Sequence, residues 1–303
     1  MTTVAISGTT GLIGRAVADR MAADYEIAVI GRDAKAAIRA DFSITGSLKE
    51  LDLGGIDAVV HCASITNEDF AEDPERAYRH AILGMRAFAV RALDCGVRHV
   101  AYISSAHIYG HFVGRIDEAS PPNPLTDYAI AHYASEQILR HVYRKGAAVL
   151  RPCAVFGIPP DLERFRRWNL IPFGFPKAAL ETGMIALKSN GRARRNFVGA
   201  EDVAACVASW LKNRADSATF QAINTIGRTS MSIIDFARLC ADICKETTGK
   251  PCAVTAIDDP ASPEEPFNYA SNDSGNIGTT DLRATLTRLT ATLASGLQRG
   301  AVP

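Results

Sequence analysis

Short apolar runs alternate with longer periodic stretches through the first half of the chain. The apolar runs lie within 4–6, 27–30, 56–62, 100–103 and 148–150, and they predict buried strands. Segments 12–21 and 127–143 repeat apolar residues at helical spacing, which predicts amphipathic helices. Strands that are connected through helices form a parallel sheet covered on both faces. The pattern therefore predicts an α/β fold with a doubly wound parallel sheet over residues 1–157.

The pattern changes after residue 157. Prolines and aromatic residues are frequent in 158–190 and the periodicity is weak, so this stretch predicts an inserted lobe. Farther along we expect a helix over 202–212, a strand over 218–224, a helix over 232–246, a loop over 258–280 and a closing helix over 281–297. The chain is therefore expected to form a core over 1–157 and a smaller, discontinuous C-terminal lobe over 158–303, from which 198–226 return to the core.

Composition and charge argue against several classes of partner. The 303-residue chain balances 33 Lys and Arg against 33 Asp and Glu, whereas nucleic-acid binding usually needs a basic surplus. Two short arginine groups, within 164–167 and 192–195, leave a local basic patch open. No apolar stretch reaches the roughly 18 residues of a membrane span, and no basic leader precedes the first strand. Seven scattered cysteines lack zinc-site spacing and fit a reducing compartment. We expect a cytoplasmic protein without metal, membrane or nucleic-acid partners.

Three glycines lie between the first predicted strand and the first predicted helix. In the segment SGTTGLIG at 7–14, Gly8 permits a tight turn and Gly11 lets the backbone approach a pyrophosphate. Gly14 lets the helix pack closely on the sheet. The helix N-terminus then offers free N–H groups and a partial positive charge to phosphates. A glycine string alone is weak evidence, but this position indicates a dinucleotide site in a Rossmann domain.

The end of the second predicted strand bears on which dinucleotide is bound. NAD enzymes usually place an acidic residue there, whereas an arginine nearby suits the additional phosphate of NADP. Here the strand ends with Gly31 and Arg32, and Asp33 follows. Arginine binds phosphate in a bidentate manner, so Arg32 favours NADP over NAD. The alternatives are a solvent-facing Arg32, or an Asp33 that turns inward and binds NAD.

Further motifs follow the glycine turn in a characteristic order. They are Asp41-Phe42, HCAS at 61–64, ISSAHIYG at 103–110, PLTDY at 124–128, RPCAVFG at 151–157, RNFV at 195–198 and Asp202-Val203. With them the chain resembles the extended short-chain dehydrogenases/reductases of the nucleotide-sugar epimerase/dehydratase type, from residue 4 to about residue 203. The resemblance implies a nicotinamide dinucleotide, a nucleotide-sugar substrate and a homodimer. We expect the substrate in the cleft between the core and the smaller lobe.

The resemblance also assigns roles to single residues. Ser105 matches the hydroxyl that orients the substrate oxygen, and Tyr128 matches the tyrosine that supplies or removes the proton. Together with the strand-end argument, the dinucleotide contacts are expected to be Gly8, Thr10, Gly11, Leu12, Ile13, Gly14, Arg32, Asp41, Phe42, Cys62, Ala63, Ser64, Tyr128, His132 and Pro152. The substrate contacts are expected to be Ser105, His107, Thr126 and Arg195. Arg195 lies where the family binds a substrate diphosphate.

One catalytic position departs from the family pattern. The fourth residue after Tyr128 is a lysine in the family, where it binds the nicotinamide ribose and supports the tyrosine, and here it is His132. No lysine lies between Lys49 and Lys145, so none nearby on this helix replaces it. An ordinary histidine has a pKa near 6.5 and is largely neutral at pH 7. Three hypotheses therefore stay open: His132 takes the lysine role as a third catalytic residue, the chemistry is slow or altered, or dinucleotide binds without turnover.

A second departure concerns the substrate. Ala154 stands where many enzymes that act on nucleotide sugars have an asparagine, which weakens that assignment, whereas Arg195 supports it. The expected function is NAD(P)-dependent hydride transfer on a sugar, by an epimerase, dehydratase or ketoreductase. The alternative is an NADP(H)-binding sensor or regulatory protein with weak or no turnover, because a fold does not determine a function.

Overall fold

The computed structural model describes residues 2–213, 219–257, 266–273 and 277–298. Its strands are β1 (Thr3–Ser7), β2 (Glu26–Gly31), β3 (Ile38–Arg39), β4 (Ala58–His61), β5 (His99–Ile103), β6 (Gly114–Ile116), β7 (Ala147–Pro152), β8 (Ala154–Phe156), β9 (Met184–Ala186), β10 (Arg194–Gly199), β11 (Gln221–Thr225), β12 (Thr229–Ser232), β13 (Ala253–Thr255) and β14 (Phe267–Tyr269). Its α-helices are α1 (Leu12–Met21), α2 (Thr45–Leu48), α3 (Asn67–Glu72), α4 (Pro74–Tyr78), α5 (Met85–Asp94), α6 (Asp127–Val142), α7 (Ile171–Thr182), α8 (Ala200–Asn213), α9 (Ile233–Thr248) and α10 (Leu282–Gln298). A π-helical turn (Arg79–Gly84) joins α4 to α5, and a 3₁₀ turn (Ala106–Tyr109) follows β5.

The main sheet has seven parallel strands in the order β11-β7-β5-β4-β1-β2-β3. One face packs Phe88 of α5 and Leu139 of α6 against the sheet. The other face packs Val17 of α1 and Val203 of α8. The predicted doubly wound α/β fold is confirmed. Strand β11 pairs in register with β7, so the chain returns to this sheet after leaving it.

A second lobe forms where α7, α9 and α10 pack on one another. The rings of Phe197 and Phe236 stack at its centre, with centroids 4.3 Å apart. Weak periodicity in 158–190 concealed α7. This helix packs against both α9 and α10 and is apolar nearly all round, so no polar stripe marks it. Pro172 lies in its first turn, where the missing N–H costs nothing.

The loop expected over 258–280 contains a strand. Residues 266–273 are described, and within them β14 pairs in parallel with β6. A strand of three residues is too short for a period of two to be recognised. Its pairing depends on a partner far away in the sequence. Residues 258–265 and 274–276 of that expected loop lie outside the described residues.

The carboxyl ends of β1, β4, β5 and β7 meet at one edge of the main sheet. Residues 8–14 follow the first of these strands, and residues 62–64, 104–110 and 153–157 follow the others. In open parallel sheets this edge is where ligands bind. In the part of the chain that the structure describes, no helix is long and apolar enough to cross a membrane.

Candidate active site

The glycine turn is shaped by backbone contacts that leave no room for side chains. Gly8 has a φ of +74°, and a Cβ there would lie 2.7 Å from the nitrogen of Ala63. A Cβ on Gly14 would overlap the carbonyl oxygen of Gly8. Helix α1 has no side-chain cap at Gly11 and no acidic residue in its first turn. Its N-terminal N–H groups are therefore available to an anion, as a dinucleotide pyrophosphate requires.

Ser7 fixes the strand end opposite the glycine turn. Its hydroxyl accepts hydrogen bonds from the backbone nitrogens of Cys62 and Ala63, both at 3.1 Å, and lies 2.8 Å from Nδ1 of His61. Burial, with smaller contributions from nearby histidines, lowers the pKa of His61 to about 3, so this imidazole is neutral. Burial also raises the pKa of the Cys62 thiol to about 12, so it is not a nucleophile. The sequence analysis assigned no function to Ser7 or to His61.

The end of β2 is open to solvent, and both Arg32 and Asp33 are exposed there. Asp41 accepts hydrogen bonds from the backbone and the hydroxyl of Ser43, at 2.9 and 2.6 Å. Burial opposes ionisation of Asp41, but these bonds and the charges of Arg32 and Arg76 outweigh it, so its pKa is lowered. A positive charge therefore lies close to the place expected for the adenosine ribose. The side chain of Phe42, in contrast, is buried in the core, 4.4 Å from the ring of His61.

Tyr128 and His132 lie one turn apart on α6, on the side that faces this edge. Thr126 caps the helix by accepting a hydrogen bond from the nitrogen of Ala129 at 3.2 Å, so its hydroxyl has a structural partner. The ring centroids of Tyr128 and His132 are 4.5 Å apart. The two residues predicted as the catalytic pair are therefore in contact.

His132 is buried and held on one side only. Its Nδ1 lies 2.8 Å from the phenol oxygen of Tyr102, which lies 3.0 Å from the hydroxyl of Ser64. Its Nε2 is buried without a hydrogen-bond partner among the described residues. Burial, and then the charges of Arg167 and His107, lower the pKa of His132 to about 3. This direction is opposite to the one that a charged histidine in the lysine role requires, so His132 is a neutral donor or acceptor.

The residues expected at the substrate follow β5 and lie on β10. The hydroxyl of Ser105 accepts a hydrogen bond of 3.2 Å from the nitrogen of His107. The ring of His107 lies 5.9 Å from that of Tyr128 and 5.3 Å from that of Phe112. Arg195 extends over the other part of this group, with its Cζ 4.6 Å from the centroid of Phe112. A chain of contacts thus leads from Tyr128 through His107 and Phe112 to Arg195.

Arg195 and Arg167, the two cations that act on His107, make this part of the site electropositive. Partial burial lowers the pKa of Arg195. Its Nη1 donates to the carbonyl oxygen of Arg194 at 2.7 Å, and no described residue pairs with it as an acid. Desolvation by the cleft walls, and then Arg195 and Arg167, lower the pKa of His107, so its ring is neutral although it is open to the cleft. An anionic group is therefore favoured here.

A buried ion pair holds α6 against β7. Arg151 donates to both carboxylate oxygens of Glu136, at 3.0 and 2.6 Å, and to the phenol oxygen of Tyr109 at 2.7 Å. Tyr109 donates in turn to Asn224 at 2.8 Å. Breaking such a buried pair by removing one partner is strongly destabilising. The network fixes the helix that carries Tyr128 relative to Pro152 at the end of β7.

Arg167 lies beside Tyr128 and Glu68 lies beside Arg167, and neither residue was predicted from the sequence. The Cζ of Arg167 lies 5.9 Å from the centroid of the Tyr128 ring, and its Nε lies 3.9 Å from a carboxylate oxygen of Glu68 on α3. The neighbouring Arg166 pairs with Glu72 at 2.8 Å. Through these two arginines, the second lobe contacts α3. The one signal in the sequence was the arginine group within 164–167, which indicated only a basic patch.

All seven cysteines of the chain are free, and none lies in a group that could bind metal. Within the described residues no cluster of three or more histidines, cysteines or acidic residues has such an arrangement.

Comparisons with known proteins agree with this fold. Over 179 residues the chain is 25% identical to the N-acetyl-alpha-D-glucosaminyl-diphospho-ditrans,octacis-undecaprenol 4-epimerase of Escherichia coli O157:H7, covering 55% of this chain and 52% of that protein. Over 162 residues it is 31% identical to methionine adenosyltransferase 2 subunit beta of Danio rerio, covering 51% of this chain and 48% of that protein. The chain therefore spans about half the length of these two curated relatives.

A solved structure shows the same fold over nearly the whole chain. It is the UDP-glucose-4-epimerase of Stenotrophomonas maltophila with bound NAD and formylated UDP-arabinopyranose, which has a TM-score of 0.76 and 18% identity. The match covers 99% of this chain and 100% of that one. The family model for the NAD dependent epimerase/dehydratase family matches residues 4–225. Because this match covers most of the chain and includes the glycine turn, Ser105, Tyr128 and Arg195, the chain belongs to the NAD dependent epimerase/dehydratase family.

Proposed function

We propose that this protein is an NAD(P)-dependent oxidoreductase or epimerase that transfers hydride on a sugar, with a nucleotide attached to that sugar. Tyr128 is its acid/base, Ser105 orients the reacting oxygen, and His132 stands in the place of the family lysine. The contact between Tyr128 and His132 at the edge where the glycine turn ends carries this proposal, because binding and chemistry then meet at one place.

The glycine turn supports dinucleotide binding. The positions of Gly8 and Gly14 exclude a Cβ, and the first turn of α1 is uncapped, so backbone N–H groups are left for a pyrophosphate. Bound there, the dinucleotide would supply the hydride acceptor and donor. Arg32 favours NADP, because its guanidinium is exposed beside the place expected for the ribose, and Gly31 precedes it where an NAD enzyme would have an acidic residue.

The dinucleotide would transfer the hydride, and the side chains of the protein transfer the proton. The phenol of Tyr128 moves a proton to or from the sugar oxygen, while the hydroxyl of Ser105 holds that oxygen. The buried Nε2 of His132 has no partner among the described residues, which suits a hydrogen bond to a ribose hydroxyl. Because His132 is neutral, it orients the dinucleotide and leaves the charge near Tyr128 to other groups.

The substrate would lie between the two lobes. Arg195 has no acidic partner among the described residues and is positioned to bind a diphosphate. We further propose that residues 1–157 bind the dinucleotide, that 158–303 mainly bind the substrate with 198–226 returning to the core, and that the protein works as a homodimer in the cytoplasm.

The test is a turnover assay with a matched pair of variants. Purified protein is incubated with NADPH or NAD and a panel of UDP-, dTDP- and GDP-linked sugars. Products are separated by chromatography, since an epimerisation leaves the nicotinamide absorbance unchanged. We expect Tyr128→Phe to lower turnover about 10²-fold or more without changing dinucleotide affinity. Tyr133→Phe, on the same helix, is the control. Equal activity of wild type and Tyr128→Phe would contradict the role given to Tyr128.

A second candidate is an NADP(H)-binding sensor or regulatory protein. It is favoured by the neutral His132 where the family has a charged lysine, and by similarity to a relative that is named as the subunit of another enzyme. Tight NADPH binding with no conversion across the panel would favour this candidate. If neither dinucleotide binds, both candidates are wrong.

A further inference from the structure

The site lacks the positive charge that usually accompanies a tyrosine acid/base. A phenolate is stabilised by a cation nearby, and the neutral, buried His132 does not supply one. Its Nδ1 is engaged by Tyr102. The other ring against Tyr128 belongs to His107, whose pKa is also lowered, first by desolvation. If Tyr128 exchanges a proton with the substrate, the cation that stabilises its phenolate must therefore come from another part of the fold.

Arg167 is the cation that lies against Tyr128. Its Cζ lies 5.9 Å from the ring centroid, within the range of a cation–π contact. Its side chain is only 29% exposed, so water screens the charge of the guanidinium less than it would at the surface. Among the described residues, its Nε is buried without a hydrogen-bond partner. It lies 3.9 Å from a carboxylate oxygen of Glu68, which is an ion pair without a hydrogen bond.

The remaining ionisable groups around Tyr128 are few. They are His107 from the 3₁₀ turn, His132 and Asp127 from α6, Tyr78 from α4, Glu68 from α3 and Arg167 from the second lobe. Asp127 accepts a hydrogen bond of 2.7 Å from Tyr78, and burial and that bond raise the pKa of Tyr78 to about 12. Both imidazoles are neutral. Of these groups, Arg167 carries the positive charge, and Glu68 is the acidic residue that lies next to it.

We propose that Arg167, brought from the second lobe and opposed by the charge of Glu68, stabilises the phenolate of Tyr128 in place of the lysine that the family pattern requires. The proposal rests on the proposed role of Tyr128 as acid/base.

The test compares charge changes of opposite sign. Arg167→Gln removes the cation, and we expect the acid limb of the pH–rate profile to move to higher pH by about one unit, with activity lower by about tenfold at pH 7. Glu68→Gln removes the opposing charge and should move the same limb to lower pH. Arg167→Lys should retain most of the activity. Arg166→Gln, one residue away and paired with Glu72, should leave the profile unchanged.

A structural role would give a different result. If Arg167 only held the lobes together, Arg167→Gln and Glu68→Gln would both lower activity with no shift in pH, and the proposal would be wrong. The double variant Arg167→Gln/His132→Lys, which returns a charge to the family position, should recover part of the lost activity.

A measurement without turnover separates this proposal from the proposed function. Protein labelled with ¹³C at the tyrosine Cζ is titrated by NMR, and the Tyr128 signal is assigned with Tyr128→Phe. The midpoint of its ionisation should rise in Arg167→Gln and fall in Glu68→Gln even if no sugar nucleotide is converted. Unchanged midpoints in a protein that does convert its substrate would refute the role of Arg167 and leave the proposed function intact.

Discussion

The phenol oxygen of Tyr102 lies 2.8 Å from Nδ1 of His132. Burial raises the pKa of Tyr102 far above its usual range, so the partner of the imidazole is a neutral phenol. With Nδ1 engaged, the ring orientation is fixed, and Nε2 is left as the nitrogen that meets a ligand. A residue of the central strand β5 therefore determines how the unusual histidine of α6 functions.

Tyr102→Phe tests this positioning. The variant keeps the ring but removes the bond to Nδ1, so we expect dinucleotide affinity to fall by about threefold to tenfold, because His132 loses its fixed orientation. Titration by nucleotide fluorescence measures it. The control is Tyr143→Phe, which also removes a buried hydrogen bond, of 3.0 Å to the carbonyl oxygen of Val97, away from the site. Both variants should lose about 1 kcal/mol of stability, and only Tyr102→Phe should weaken binding.

Gly14→Ala should weaken dinucleotide binding. The new Cβ would overlap the carbonyl oxygen of Gly8, so the turn and the start of α1 must separate. We expect an affinity loss of about tenfold or more, and a lower melting temperature, because the helix no longer packs closely on the turn. Gly46→Ala on α2 is the control, since a Cβ there meets nothing within 4 Å. Full NADPH affinity in Gly14→Ala would mean that the dinucleotide binds elsewhere.

Arg32→Gln should change the choice between the two dinucleotides. Loss of the guanidinium removes a charge-assisted contact with the ribose phosphate, so NADPH affinity should fall by about tenfold while NADH affinity stays the same. Parallel titrations with NADPH and NADH measure the ratio. Arg20→Gln, at the far end of α1, is the control. An equal loss for both dinucleotides would contradict the NADP preference.

Arg195→Gln should weaken substrate binding more than the chemical step. Its guanidinium, over Phe112, is expected to meet a diphosphate that does not change during the reaction. KM should therefore rise by about tenfold with kcat nearly constant. Steady-state kinetics on the nucleotide sugar that the panel identifies measure both constants. The adjacent Arg194→Gln, whose guanidinium donates to the carbonyl oxygen of Ser230 at 3.1 Å, is the control. A fall in kcat alone would contradict this role.

Because two histidines are buried, we expect the folded protein to lose stability at acidic pH. Burial first of all lowers the pKa of His61 and of His132 to about 3, against about 6.5 in an unfolded chain. The unfolded state then binds more protons below pH 6.5, so stability is complete above that pH and falls as the pH drops toward 3. Each histidine contributes about 1.4 kcal/mol per pH unit in that window. Urea unfolding at pH 7.5 and pH 5.5 measures the difference.

A variant isolates the contribution of one histidine. His61→Gln should reduce the pH dependence by about one proton, because one depressed imidazole is removed, whereas the exposed His141→Gln should not change it. An unchanged slope in His61→Gln would show that His61 titrates equally in the folded and the unfolded chain.

Much of the fold follows from local pattern. Helix α1 begins and ends where its apolar spacing predicts, and α6 ends one residue before the expected end. Helix α7 and strand β14 were missed, because an apolar helix packed against both α9 and α10 has no polar stripe, and a strand of three residues has no readable period.

The sequence by itself determined the parallel sheet, the dinucleotide turn at Gly8, Gly11 and Gly14, and the family pattern around Tyr128. These features depend on residues close together in the chain, whose periodicity and steric limits are local. Only the tertiary structure decided that His132 is neutral, that Arg167 lies beside Tyr128 and that Glu68 lies beside Arg167. The physical reason is that a pKa is set by burial and by charges within a few ångströms, and these come from elements that are distant in sequence.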